Sequence, residues 1–169
     1  MFIRNCSLYI RLLVLLLPAV LFANINCKAQ ASSSNFVRVN TNTSIYFLLS
    51  NAAQIESAQT ITNAFCLYTK TSANNASYYV KATNSTTTTT SMPIGNLVLT
   101  FYSTDAVSGR YSNLNTSAIP LTTSDQLLFQ VYKKNTFYNF CYSVGIPATG
   151  YTYKPGIYSW TITFTMTQP

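Results

Sequence analysis

Glu56, Asp105 and Asp125 are the only carboxylate side chains in a chain of 169 residues, and histidine is absent. Without imidazole there is no general base poised near neutral pH and no Ser-His-Asp or Cys-His relay, and the commonest transition-metal ligand is missing. Glycoside hydrolysis usually needs two carboxyl groups facing each other across a bond, about 5–9.5 Å apart. Asp105 and Asp125 instead stand in Ser-Thr-Asp-Ala and Thr-Ser-Asp-Gln, settings in which Asp caps a turn. Oxygen-ligated calcium draws on more carboxylates than three scattered ones. The chain also has neither a Gly-rich phosphate loop nor a Gly-x-Ser-x-Gly elbow. These absences predict a protein that is not an enzyme and uses no cofactor or metal.

Four cysteines remain as candidate nucleophiles, Cys6, Cys27, Cys66 and Cys141. The first two belong to a leader. Arg4 and Arg11 precede an apolar run over residues 12–23, and Ala29-Gln30-Ala31 gives the small-x-small pattern read by signal peptidase. The run is shorter than the ~20 residues that span a bilayer. Residues 1–31 are therefore expected to be a secretory signal peptide with Ser32 as the mature start, cleavage after Ala23 or Ala29 being the alternatives. Asn24-Ile25-Asn26 before Cys27 does not match a Leu-Ala-Gly lipobox. Residues 32–169 are expected to form one domain exported to the periplasm, cell surface or medium, with no transmembrane segment. In that setting Cys66 and Cys141 read as a disulfide. No CxxC motif marks either as a redox thiol.

The leader takes three cations with it, so a formal charge of +7 falls to +4. Only Lys133 and Lys134 are adjacent, and nucleic-acid binding normally shows a clustered basic stripe. No nucleic-acid partner is expected. Charged residues make up only 8% of the chain, against ~25% in ordinary globular proteins. Solubility must come from neutral polar groups, and 54 of the 138 residues from Ser32 onward are Thr, Ser or Asn. Asn42, Asn75, Asn84 and Asn115 open Asn-x-Ser/Thr sequons, which arise by chance in such a composition.

Tyrosine is the remaining candidate for recognition. Tyr78, Tyr79, Tyr138, Tyr142, Tyr151 and Tyr153 could present flat faces to sugar rings, or simply cover a sheet with the ring while wetting the hydroxyl. Tyr142, Tyr151 and Tyr153, flanking the turn at 147–150, are the expected exposed patch, with glycans the expected ligand.

These side chains must be positioned by strands. Val37, Val39, Thr41, Thr43, Ile45, Phe47 and Leu49 alternate with Arg38, Asn40, Asn42 and Ser44. Tyr158, Trp160, Ile162, Phe164 and Met166 alternate with Ser159, Thr161, Thr163, Thr165 and Thr167, a half-buried strand. Further strands are expected near 59–69, 77–82, 97–102, 126–132 and 136–144, with turns at 74–75, 93–95, 108–109, 133–135 and 147–150. A single helical turn fits 51–57, and the Thr run 86–90 suits a hairpin tip. Seven or eight short strands predict an all-β, immunoglobulin-like antiparallel sandwich. An eight-stranded membrane barrel would need strands of ~9–11 residues with aromatic girdles, longer than several of these.

Pro155-Gly156-Ile157-Tyr158 opening the last strand resembles the tyrosine corner of immunoglobulin-like sandwiches, although Trp160 stands where that pattern has Cys. Gly156 is fourteenth from the end and is followed by a Thr-rich alternating strand, with no room for a closing one. In this the chain resembles bacterial chaperone–usher pilins and their spore-coat-U-like relatives. It departs from them in Gln168, where many pilins carry an aromatic, and in cysteines spread across most of the fold. The resemblance implies a fimbrial subunit, structural or adhesive, completed by an arm from a neighbour. Residues 32–49, with Val37, Val39, Ile45 and Phe47, would be the donor arm. Gly156, Tyr158, Trp160, Ile162 and Phe164 would form the receiving strand, and other copies, related subunits and a periplasmic chaperone would be the partners. The alternative is a self-complete sandwich in which 33–49 pairs within its own chain, acting as a monomeric binding module for carbohydrate or a surface.

Overall fold

The computed structural model describes residues 35–43, 45–47, 49–71, 75–84, 92–132, 136–153, 158 and 160–168. The expected leader (1–31), the Thr run 86–90, Lys133, Lys134 and Gly156 lie outside the described residues. Nine strands are present among them: β1 (Phe36–Thr41), β2 (Gln59–Lys70), β3 (Ala76–Asn84), β4 (Val98–Thr104), β5 (Tyr111–Ser112), β6 (Ile119–Pro120), β7 (Gln126–Val131), β8 (Phe137–Ile146) and β9 (Trp160–Thr167). They form two antiparallel sheets packed as a sandwich, in the orders β1-β2-β8-β4-β6 and β5-β7-β3-β9. The count exceeds the expected seven or eight because β5 and β6 are two-residue strands, too short to show an alternation.

The core lies where the inner faces meet. On β2 it takes Phe65 and Leu67, on β3 Tyr78, Val80 and Ala82, on β7 Leu128, Phe129 and Val131, and on β8 Phe140, Tyr142 and Val144. Period-2 alternation puts these side chains on one face, except at Leu128 beside Phe129, where a bulge shifts the β3–β7 register, and sandwich packing buries that face from the other side. Phe129 and Phe140 stack across the two sheets with centroids 3.7 Å apart. A single helical turn, α1 (Ala52–Glu56), is capped by Asn51, whose Oδ1 accepts from the Gln54 N–H at 3.0 Å.

Cys66 and Cys141 are bonded, as expected. They sit directly opposite each other on β2 and β8, neighbours in the same sheet, on the face away from the core. The bond therefore ties two strands together rather than two sheets. The same outer face carries Phe36, Tyr68 and Phe137, whose rings meet at 5.3–5.8 Å. Lys70 Nζ lies 5.0 Å above the Phe137 ring. This cluster pins the start of β1 to β2 and β8.

Between Ile61 and Phe65 the β2–β8 register shifts. Asn63 there has a φ of 50°, in the left-handed region that Asn tolerates better than most residues. Its backbone N–H donates to Ser143 Oγ, and Asn42 Nδ2 donates to its carbonyl. The bulge thus receives the end of β1.

The loop closed by Cys66–Cys141 spans 75 residues, so chain entropy makes the bond worth about 4–5 kcal/mol at most. Cys66→Ser with Cys141→Ser should lower unfolding stability by about 2–5 kcal/mol in urea titration without changing the far-ultraviolet spectrum. A loss below 0.5 kcal/mol would count against the role given to the bond.

Candidate functional site

The three tyrosines expected to share an exposed patch separate. Tyr142 is fully buried on the inner face of β8, stacked on Phe65 at 5.9 Å and edge-on to Phe101 at 6.0 Å. It belongs to the core, because its even-numbered neighbours on β8 (Tyr138, Phe140, Val144 and Ile146) all point inward. Its hydroxyl finds no hydrogen-bond partner, and neither does that of Tyr78. Burial pushes the Tyr78 phenol up to about 12, offset in part by Thr69 beside it. The Thr69 hydroxyl donates instead to the Tyr138 carbonyl at 3.2 Å, and no bond to Tyr78 closes. Burial raises the Tyr142 phenol further.

Tyr151 and Tyr153 do meet. With Leu49, Ser50, Asn51, Ala52 and Ile55 they line a cavity of about 340 Å³ between α1 and the short turn η (Gly150–Thr152) that follows β8. Two links across the sequence hold its walls. The Thr149 N–H donates to the Ile55 carbonyl at 2.9 Å, and the Tyr151 hydroxyl donates to Glu56 Oε1 at 2.6 Å. Tyr151 is 73% exposed while its hydroxyl is engaged. The hydrogen bond to Glu56, and the negative charge there, hold its phenol above the ordinary range. Tyr153 is half-buried against the core. Sequence reasoning missed Glu56, Leu49 and Ile55 at this site. Only the Asn-capped turn at 51–57 hinted that this segment was ordered, and nothing in the spacing links residue 56 to residue 151.

The other two carboxylates are engaged elsewhere. Asp105 accepts from the Asn139 backbone N–H and Nδ2 at 2.7 and 2.8 Å, closing the end of β4 against β8. Asp125 lies 3.4 Å from Lys81 Nζ on a solvated face.

The residues expected to serve assembly fall on two edges. Val37 and Val39 lie in β1, which pairs with β2 of its own chain from Phe36↔Lys70 to Thr41↔Phe65. The alternation expected through residue 49 stops at Thr41. Asn42 and Thr43 bend, Ile45 is exposed, and Phe47 is half-buried against the core. Trp160, Ile162 and Phe164 lie in β9 at the edge of the other sheet, with Tyr158 stacked on Trp160 at 6.4 Å. Tyr78↔Met166, Val80↔Phe164 and Ala82↔Ile162 are opposed, so the apolar row of β9 shares the inner face with β3. The β3 members are fully buried, whereas the β9 members are only half-buried. Among the described residues no strand pairs with the outer edge of β1 or β9. The two edges lie on one side of the sandwich, joined at one end by paired Asn35–Gln168 amides at 2.7 and 3.2 Å. Gln168, at the position where many pilins carry an aromatic, here closes that end.

Searches against family models, curated proteins and solved structures find no match to this chain.

A buried hydroxyl without a partner is destabilising, so Tyr142→Phe should keep or raise stability by about 1 kcal/mol in chemical denaturation. Tyr142→Ala should cost about 3–5 kcal/mol. Below pH 10 the Tyr78 phenol is protonated in both the folded and the unfolded chain and adds no pH dependence. Above pH 10 the unfolded chain ionises first, so stability should fall as pH rises from 10 towards 12. Tyr78→Phe should flatten that slope in alkaline denaturation.

Proposed function

We propose that the chain is a non-enzymatic subunit of an exported surface structure, structural or adhesive in the fimbrial manner, that joins its neighbours by β-strand addition. The observation that supports this reading is the placement of both long edge strands on one side of the sandwich, with the apolar row of β9 half-covered there. Open edges are a hazard that monomeric proteins blunt with charge, proline or bulges. β9 has neither a charged residue nor a proline over eight alternating positions, and β1 has only Arg38.

In this reading β1 is the element exchanged. It has no fully buried residue, so leaving its sheet uncovers little core, and a neighbour's β2 offers the same register. Other copies or related subunits are then the partners, and a periplasmic chaperone would cover the seam before assembly. A second reading, a monomeric module binding carbohydrate or a surface, is favoured by the meeting of Tyr151 and Tyr153 at one cavity.

Phe36 and Lys70 are directly opposed, so Phe36→Cys with Lys70→Cys reports which chain supplies β1. Purified protein starting at Ser32 should form concentration-dependent oligomers that become covalent ladders on non-reducing gels, and deleting residues 32–44 should abolish them. A cooperative monomer in size-exclusion chromatography, with the new bond inside one chain, would overturn the assembly reading.

A further inference from the structure

We infer that the cavity between α1 and η is a site for an N-acetylated hexosamine at the end of a glycan. The inference rests on the binding reading above and does not depend on strand addition. At about 340 Å³ the cavity falls within the ~300–1,000 Å³ range of small-ligand pockets.

Its chemistry is mixed in a specific way. Leu49, Ala52 and Ile55 give an apolar floor. The few polar groups beside them are largely committed: the Ser50 N–H and Oγ–H donate to Gln54 Oε1, and Asn51 Oδ1 accepts from the Gln54 N–H. A sugar bearing hydroxyls on every side would press several of them, unmatched, against that floor, and each unmade buried hydrogen bond is costly. An acetamido methyl needs no partner there.

Tyr151 supplies the second element. Its ring gains little from burial, yet its hydroxyl is anchored on Glu56. The anchor removes rotamer freedom that a ligand would otherwise have to freeze, leaving a ring face available to the C–H face of a pyranose. The Glu56 carboxylate stands outside the lining and serves the site by holding the Tyr151 hydroxyl. Its charge disfavours anionic sugars.

The test titrates protein starting at Ser32, disulfide intact, with N-acetylglucosamine and N-acetylgalactosamine against glucose and galactose, followed by amide chemical shifts. At least one N-acetylated sugar should bind at least tenfold more tightly than its parent hexose, with shifts at residues 49–56 and 149–153. Tyr151→Ala and Glu56→Ala should each weaken binding at least tenfold, and Ala52→Leu should remove the N-acetyl preference by filling the floor. Tyr46→Ala, at an equally exposed tyrosine outside the cavity, should leave binding unchanged. Tyr151-dependent binding of parent hexoses with no N-acetyl preference would overturn the inference and leave the binding reading standing. If a broad glycan array shows no Tyr151-dependent binding, both fail.

Discussion

The pairing of β2 with β8 is the constraint on which the rest of the sandwich hangs. These are the two longest strands, they pair from Gln59↔Ile146 to Lys70↔Phe137 with one register shift at the bulge between Ile61 and Phe65, and their covalent cross-link joins opposed positions. Their two neighbours in that sheet are placed by them, β1 on β2 and β4 on β8, and β6 follows on β4. The second sheet packs on this pair through contacts such as Phe129 of β7 on Phe140 of β8. Their inner faces carry Phe65, Leu67, Phe140, Tyr142 and Val144, the centre of the core. The disulfide leaves this core untouched because it sits on the outer face. The inner positions are thereby free for large aromatic side chains, whose burial is the main favourable term.

Away from that ladder the sandwich becomes less complete. Burial on the inner face is total on β3 and partial one strand further out, on β9. The β1 side of the same seam has Val37 half-buried and Val39 38% exposed. The other end of each sheet finishes in a two-residue strand, β6 covering Val98 and Leu99 of β4, and β5 covering Gln130 and Val131 of β7. The strand addition proposed above would use the β1/β9 side, where the half-buried apolar row lies. The asymmetry also explains how a chain so poor in charge is organised: the Thr row of β9 faces solvent, while its Trp-Ile-Phe-Met row faces the seam.

The three carboxylates illustrate how a small inventory is distributed. Asp105 closes a strand end on Asn139, Asp125 meets Lys81 on a solvated face, and Glu56 holds Tyr151. Only the last holds a side chain that lines the cavity, the Tyr151 ring, which is fixed without being covered. The non-catalytic character proposed for the protein and the sugar site inferred for it both draw on this scarcity, since each acid has a distinct neighbour.

Local signals were enough to expect the strands. Strand-favouring composition between turn residues placed 59–69, 77–82, 97–102, 126–132 and 136–144 within three residues of the observed bounds, because both signals are local to the chain. The Cys66–Cys141 bond and the turn at 51–57 were legible for similar reasons, from parity of cysteines and from an Asn before a short apolar turn. Which face is inner is a different question. Tyr142 and Tyr151 look alike in sequence, yet one is wholly buried and the other is mostly exposed. The difference arises from what stands opposite: Phe65 and Phe101 for the first, a single carboxylate 95 residues away for the second. The fate of residues 37–49 was likewise decided in three dimensions, where β1 ends as Asn42 reaches the bulge at Asn63. The sequence by itself determined an all-β, charge-poor, disulfide-linked chain, because composition and alternation are local. Only the tertiary structure decided which edges stay open and which tyrosine meets Glu56, because both depend on strand order, which brings together residues far apart in the chain.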